Sequence, residues 1–286
     1  MGQAYQDEVG DSLDYHLQST PYGFRARGPL SFDDESLKNS VSFIGAAQAF
    51  GVWCEFPFPK LVANALSLNC LNLGHGGAGP RAFLLNPRVI DDINKTKACV
   101  IQVMSGRSVG NRYMKQHDGT CVVTLQHPSL PPEKLLAHSA WAKLFPILSE
   151  DERQMLAEES VNTFLEEYKE LRDRLAVPLI LLWVSTRLPS YNRTYDNCRE
   201  MLGEFPHLID IDTWESLCNL FEHRVMACSK DFINRPLWSQ KKRETFAVTR
   251  SWGMIDSFDA SYTHPYLHVL AAQKLLDKIH EIDIFQ

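Results

Sequence analysis

Short apolar runs that suit buried strands alternate along the chain with segments that suit amphipathic helices. The strand-like runs cover residues 40–44, 69–73, 98–104, 179–184 and 207–211. The run ACVIQVM at 98–104 is apolar on both faces, which is typical of a strand in the middle of a parallel sheet. Strands that alternate with helices indicate a mostly parallel sheet with helices on both faces. We therefore predict an α/β fold with five strands.

Helical spacing of apolar residues predicts the helices between these strands. The helical segments cover residues 59–66, 81–94, 148–175, 214–226 and 268–280. In the longest segment, Ser149 is a good N-cap and Glu152 completes a capping box three residues later. Residues 1–39 are mostly polar and predict an irregular lead-in. Residues 40–286 then form a single domain, with a helical insertion or long crossover at about 130–175.

Composition and charge exclude several classes of protein. Lys and Arg number 29 against 35 Asp and Glu, a net charge of −6, which argues against a nucleic-acid or anionic-membrane binder. No apolar run approaches the ~18 residues of a membrane span, and the first residues do not resemble a secretory signal. Seven cysteines without a C-x-x-C pair predict reduced thiols in the cytoplasm and no metal site. No cofactor is implied, and the sequence assigns no oligomeric state.

Polar and glycine-rich loops follow the first three predicted strands. GAAQAFG covers residues 45–51, GHGGAG covers 74–79, and the loop at 105–112 contains Gly110 and Asn111. A further polar stretch, DASYTHP at 259–265, comes just before the last helix. Ligands of parallel sheets bind at the carboxyl ends of the strands, so these loops are where we expect a site.

The order of these pieces resembles the SGNH (GDSL-type) hydrolase superfamily over roughly residues 40–280. Its members carry a Gly-Asp-Ser turn after the first strand, a glycine after the second, an asparagine after the third and Asp-x-x-His before the last helix. The segments FIGAAQAFG, PFPKLVANAL, NLGHGGAG, FLLNP and VIQVMSGRSVGN are more closely similar to an uncharacterised bacterial domain family, which has no established activity. The resemblance implies a flavodoxin-like, three-layer sandwich.

The resemblance also implies roles for individual residues. It places Gly77 and Asn111 in an oxyanion hole, with a backbone N–H and a side-chain amide facing the developing charge. It makes His264 the general base and Asp259 its acidic partner. However, Asp259 lies five residues before His264, and Ser261 occupies the three-residue position of the pattern.

The nucleophile position departs from the superfamily pattern. It falls on Ala47, preceded by Ala46 where the pattern has aspartate. Alanine has no hydroxyl and cannot form an acyl-enzyme. Ordinary serine-esterase chemistry is therefore not expected at this turn.

Other interpretations of the same residues stay open. The glycine loop also fits a tight turn, Asn111 a helix cap, and His264 a structural histidine. Residues 106–110 spell G-x-S-x-G, the nucleophile elbow of α/β-hydrolases. In that reading, Ser108 is the nucleophile, and either Asp210 or Asp212 completes a triad with His264.

Two functions from different classes follow. One is an esterase, deacetylase or acyltransferase on an acylated carbohydrate, with Ser105 or Ser108 as the nearest nucleophile. The other, which we favour, is an inactive SGNH-like module that binds a glycan or another small polar ligand. Its predicted binding residues are Ala47, Gln48, His75, Arg107 and Arg112, of which the two arginines suit a carboxylate, sulfate or phosphate.

Overall fold

A computed structural model of the chain describes residues 2–232, 235–249, 255–259 and 262–284. Its α-helices are α1 (Gly2–Val9), α2 (Asp34–Lys38), α3 (Ala47–Phe50), α4 (Phe58–Ala65), α5 (Arg81–Leu84), α6 (Pro87–Ile93), α7 (Ala137–Leu144), α8 (Glu150–Arg174), α9 (Cys198–Leu202), α10 (Ile211–Leu220) and α11 (Pro265–Ile282). Its strands are β1 (Leu17–Ser19), β2 (Arg25–Arg27), β3 (Ser40–Ile44), β4 (Asn69–Asn72), β5 (Cys99–Gln102), β6 (Met114–Gln116), β7 (Val122–Leu125), β8 (Glu133–Leu136), β9 (Leu179–Ser185), β10 (His223–Cys228), β11 (Arg235–Pro236), β12 (Trp238–Ser239), β13 (Glu244–Thr245), β14 (Val248–Thr249), β15 (Ile255–Asp256) and β16 (Phe258–Asp259).

The central sheet has five parallel strands in the order β10-β9-β5-β3-β4. This confirms the prediction of a mostly parallel, five-stranded sheet. In its register, Phe43 of β3 lies opposite Asn72 of β4 on one side and Val100 of β5 on the other. β5 is the central strand, and β9 lies beside it. Both are buried along almost their whole length, as expected from their mostly apolar sequences.

Helices cover both faces of the sheet because side chains along each strand alternate between two apolar clusters. Ile44 and Ile101 pack in one cluster with helices α6, α8 and α10. Phe43 and Val100 pack in the other with α4 and α11. The architecture is therefore a mixed α/β fold with helices on each side of a parallel sheet.

The fifth strand is not where the sequence analysis placed it. Residues 207–210 form a loop and Ile211 begins α10, because the Asp210 side chain accepts a hydrogen bond from the Thr213 N–H and caps that helix. The fifth strand is β10, which pairs in parallel with β9. The predicted helix at 214–226 correspondingly ends at Leu220.

The segment before residue 40 is also more regular than predicted. It contains α1, α2 and the antiparallel pair of β1 and β2. Its apolar side chains, including Leu13 and Tyr15, are buried against Phe50 and Trp53 beside the sheet. Burial of these few apolar groups orders a segment whose overall composition is polar.

The crossover from β5 to β9 is longer and more mixed than a helical insertion. It holds the antiparallel sheet β6-β7-β8, with β8 inside the range predicted as helical, followed by α7 and α8. The capping box is confirmed, because the Ser149 and Glu152 side chains each accept from the other's backbone N–H. Within the described ranges, no helix has the length and apolar character needed to cross a membrane.

Candidate functional site

A cleft of about 550 Å³ lies at the carboxyl ends of β3, β5 and β9. Three segments at these strand ends contribute to its lining: the start of α3 after β3, the short 3₁₀ helix Gly106–Ser108 after β5, and residues 184–186 at the end of β9. The loop before α10, which carries His207, and residues 262–263 also line it. The cleft therefore lies at the edge where a parallel sheet brings its loops together.

Seven residues that the sequence analysis names individually line this cleft: Ala46, Ala47, Gln48, Gly77, Ser105, Arg107 and Ser108. Gln48 is only 5% exposed, and its Oε1 has no hydrogen-bond partner among the described residues. Gly77 has a φ of +75°, a left-handed conformation that glycine adopts without strain. The glycine loop is thus a tight turn and also part of the cleft wall.

Asn111 lies in a turn and is not among the described residues that line the cleft. Its Oδ1 accepts hydrogen bonds from the N–H groups of Tyr113 and Met114, both at 3.0 Å. Its Nδ2 donates to Ser160 Oγ of α8 at 2.9 Å. The amide predicted for an oxyanion hole is therefore occupied in holding the loop to a helix.

His264 caps α11 and lines a different, smaller hollow of about 380 Å³. The Nδ1 atom of His264 accepts a hydrogen bond from the Tyr266 N–H at 3.3 Å. Trp238 and Arg235 are among the described residues that line the same hollow. Asp259 ends β16, where its backbone pairs with Arg235. The side chain of Asp259 and the whole of Ser261 lie outside the described residues.

Arg112 and His75 also have other partners. Arg112 is exposed and forms an ion pair with Glu159 of α8. The His75 ring packs against Phe24, with ring centroids 5.2 Å apart, and burial lowers the pKa of His75 to about 4. Neither residue is among the described residues that line the cleft.

The hydrolase elbow predicted around Ser108 is not assembled. Ser108 ends a 3₁₀ turn rather than beginning a helix, and Asp210 is committed to the cap of α10 and to Arg193. Asp212 is exposed on the first turn of the same helix. Hence Ser108 does line the cleft, but its proposed acidic partners serve α10.

His207 is a site residue that the sequence analysis missed. Its Nδ1 lies 3.0 Å from Ser105 Oγ, and its Nε2 lies 3.1 Å from Arg107 Nη1. The Gly106 N–H also donates to the His207 carbonyl at 3.0 Å, so the two loops are joined through both backbone and side chains. Burial, followed by the charges of Arg107 and Arg187, holds the pKa of His207 well below its usual range.

The direction of these hydrogen bonds follows from the chemistry of the guanidinium. Arginine only donates, so His207 Nε2 accepts from Arg107 and the ring proton sits on Nδ1. Nδ1–H then donates to Ser105 Oγ, which leaves the serine proton available to a ligand. In a Ser-His-Asp triad the hydrogen bonds run the other way: the histidine donates to the carboxylate and accepts from the serine hydroxyl.

The Arg107 guanidinium has N–H donors other than the one that it uses to bind His207. Its Nε is buried and has no hydrogen-bond partner in the described part of the chain. Its carbonyl accepts from Trp141 Nε1 at 3.1 Å, which anchors the backbone beneath the side chain. Glu204 is the only residue with a carboxylate among the described residues that line the cleft. It is exposed on the rim, and its Oε1 lies 4.0 Å from Arg199 Nη2.

An aromatic wall formed by two tyrosines is part of the cleft lining. Tyr5 of α1 and Tyr262 meet edge to face with centroids 6.0 Å apart, and both line the cleft. The N-terminal helix, assigned to an irregular lead-in by the sequence analysis, therefore contributes directly to the site.

Residues 4–119 match a family described as Domain of unknown function (DUF6473). The matched part includes most of α1, the first three strands of the central sheet and the cleft residues from Tyr5 to Ser108. His207 and Tyr262 lie outside it. No curated protein matches the chain.

Proposed function

We propose that the cleft binds a small polar ligand, such as a glycan, without hydrolysing it. The observation that carries this proposal is Gln48, whose buried Oε1 lacks a partner among the described residues of the cleft. An unsatisfied buried polar group costs about 1–3 kcal/mol. A ligand hydroxyl that donates to this oxygen would recover that cost.

The chemistry around Gln48 supports binding over hydrolysis. Ala47, the preceding residue, has no nucleophilic atom at the position where the SGNH pattern has serine. Ser105 does have a histidine neighbour, but Nδ1 of His207 carries its proton and cannot accept the serine's. Charging His207 would also place an imidazolium against the Arg107 guanidinium.

Gln48→Leu tests the binding proposal through two measurements, the stability of the free protein and its affinity for sugars. Leucine removes the unpaired oxygen while keeping a similar volume, so we expect the free protein to hold or gain stability. Binding of neutral mono- and disaccharides, followed by calorimetry, should fall about tenfold or more. The matched control is Gln154→Leu on the exposed face of α8, which should leave binding unchanged.

Hydrolysis of short-chain aryl acetates by the wild type decides between the two functions. We expect no turnover above the uncatalysed rate. Turnover that disappears in both Ser105→Ala and His207→Ala would instead favour the esterase. Sugar binding that is equal in the wild type and Gln48→Leu would remove the support for binding in this cleft.

A further inference from the structure

We propose that the ligand of this cleft is an acidic sugar, whose carboxylate, sulfate or phosphate group is bound by Arg107 and Ser105. This inference rests on the proposed function, since it names the chemistry of the ligand for the same cleft. It adds an anionic group to the ligand and assigns that group to one end of the cleft.

The first support is a chain of hydrogen bonds that joins three residues of the cleft lining. Arg107 donates to His207, His207 donates to Ser105, and the Ser105 hydroxyl is left with its own proton to donate. A relay of donors that begins at a cation and ends at a hydroxyl suits a negatively charged acceptor.

The second support is the unused donor capacity of Arg107. Its buried Nε lacks a partner in the part of the chain that the structure describes, while its Nη1 is fixed on the His207 ring. A guanidinium held in this way has lost hydration without gaining a carboxylate. An oxyanion beside Nε and Ser105 Oγ would restore charge-assisted hydrogen bonds on both groups.

The third support is the charge distribution around the inner end of the cleft. Arg187 lies near His207, because its guanidinium donates to the carbonyl of the preceding residue, Pro206. It also donates to the carbonyls of Leu188, Glu204 and Ile209, so its own donors are occupied. Its positive charge nevertheless adds to that of Arg107 at the His207 ring. Since the lining carboxylate Glu204 sits on the rim beside Arg199, the inner end is positive.

The rest of the cleft suits the body of a sugar. Gln48 offers a buried acceptor for a ring hydroxyl, and Tyr5 and Tyr262 offer apolar ring surface. A volume of about 550 Å³ lies within the usual range for small-ligand sites. A sugar that carries an acid group therefore matches the donor end, the acceptor and the aromatic wall together.

The experiment measures calorimetric binding of glucose, glucuronate, glucose 6-sulfate and glucose 6-phosphate to the wild type and four variants: Arg107→Gln, Ser105→Ala, Arg112→Gln and Gln48→Leu. We expect at least one charged sugar to bind about tenfold or more tightly than glucose, and its affinity to fall as salt is added. Comparison among the three charged probes identifies the acid group. Arg107→Gln should abolish the preference over glucose, and Ser105→Ala should reduce it about three- to tenfold with the arginine still present.

Arg112→Gln is the matched control, because it removes an equal charge from the same loop at a residue paired with Glu159. We expect it to preserve the preference. If glucose and the charged sugars bind equally well, and Gln48→Leu weakens the binding of all of them, this inference is overturned and the proposed function stands. If neither Arg107→Gln nor Gln48→Leu changes the affinity for the charged sugars, the binding site lies elsewhere, and both this inference and the proposed function are overturned. Failure of all four probes to bind would likewise count against both.

Discussion

At the scale of single residues, Glu167 is a buried carboxylate with incomplete pairing. It lies on α8, is only 5% exposed, and has Arg81 Nη1 at 3.8 Å from its Oε1. Its Oε2 is buried with no hydrogen-bond partner among the described residues. Burial raises the pKa of Glu167 to about 7, against the opposing charge of Arg81.

The raised pKa of Glu167 makes the stability of the protein depend on pH. Because the folded state holds this proton more tightly than the unfolded chain, the stabilisation is complete below the ordinary pKa of 4.5 and is lost as pH rises through about 7. Its size is at most about 3 kcal/mol. Glu167→Gln should therefore unfold at a higher urea concentration than the wild type at pH 8, with little difference at pH 4.

Urea unfolding at both pH values checks this prediction. The control is Glu166→Gln, the neighbouring residue at an exposed position of the same helix, for which the pH 8 advantage should be absent. Parallel stability curves for the wild type and Glu167→Gln across this range would show that the carboxylate does not titrate there.

At the scale of elements, the start of α10 holds the loop that carries His207. Asp210 Oδ1 accepts from the Thr213 N–H at 3.0 Å and from its hydroxyl at 2.6 Å, which satisfies an open donor of the helix. Its Oδ2 pairs with Arg193, and Arg193 also donates to the Leu208 carbonyl. One carboxylate therefore joins a helix, an arginine and the backbone next to the site histidine.

Asp210→Ala should lower the free energy of unfolding by about 1–3 kcal/mol, through loss of both the cap and the ion pair. Sugar binding should weaken as well, because the His207 loop loses its anchor. The matched control is Asp212→Ala, which removes the same charge from the first turn but no cap. Denaturant unfolding and calorimetry measure the two effects, and equal losses in both variants would contradict the anchoring role.

At the scale of the whole molecule, the N-terminal helix is docked on the carboxyl edge of the sheet through a very close contact. A side chain at Gly76 would overlap Tyr5, whose hydroxyl end lies against that glycine. Tyr5 in turn packs on Phe50 and Tyr262. The small size of Gly76 thus permits α1 to form one wall of the cleft.

Gly76→Ala should displace Tyr5 and loosen α1. Overpacking of this kind costs about 1–3 kcal/mol, so the unfolding midpoint should fall by several degrees. Limited proteolysis should cut within the first ten residues faster than in the wild type. At Gly79, a new methyl group would meet only ordinary contacts, so Gly79→Ala is the control. Unchanged proteolysis in Gly76→Ala would show that Tyr5 is not held there.

Much of the fold was predictable because its signals are local. Alternation of apolar residues marks four of the central strands, and the capping box at Ser149 marks the start of α8. The fifth strand was mistaken because HLIDI has the composition of a strand. Only the cap formed by Asp210 shows that this segment leads into a helix.

The cleft was predictable in part. The rule that ligands bind at the carboxyl ends of parallel strands led to the loops that contain Ala47, Gln48, Gly77 and Arg107. The same rule included Asn111 and Arg112, whose side chains are held instead by α8. Adjacency in sequence does not say which of two neighbouring side chains meets the ligand and which meets a helix.

The sequence by itself determined the α/β alternation, the helix cap and the loops that surround the cleft, because each depends on residues close together in the chain. Only the tertiary structure decided which side chains meet. Ser105 and Arg107 contact His207 across about 100 residues of chain, because β5 and β9 are neighbours in the sheet. Such contacts arise from the order of strands, which local patterns of hydrophobicity do not specify.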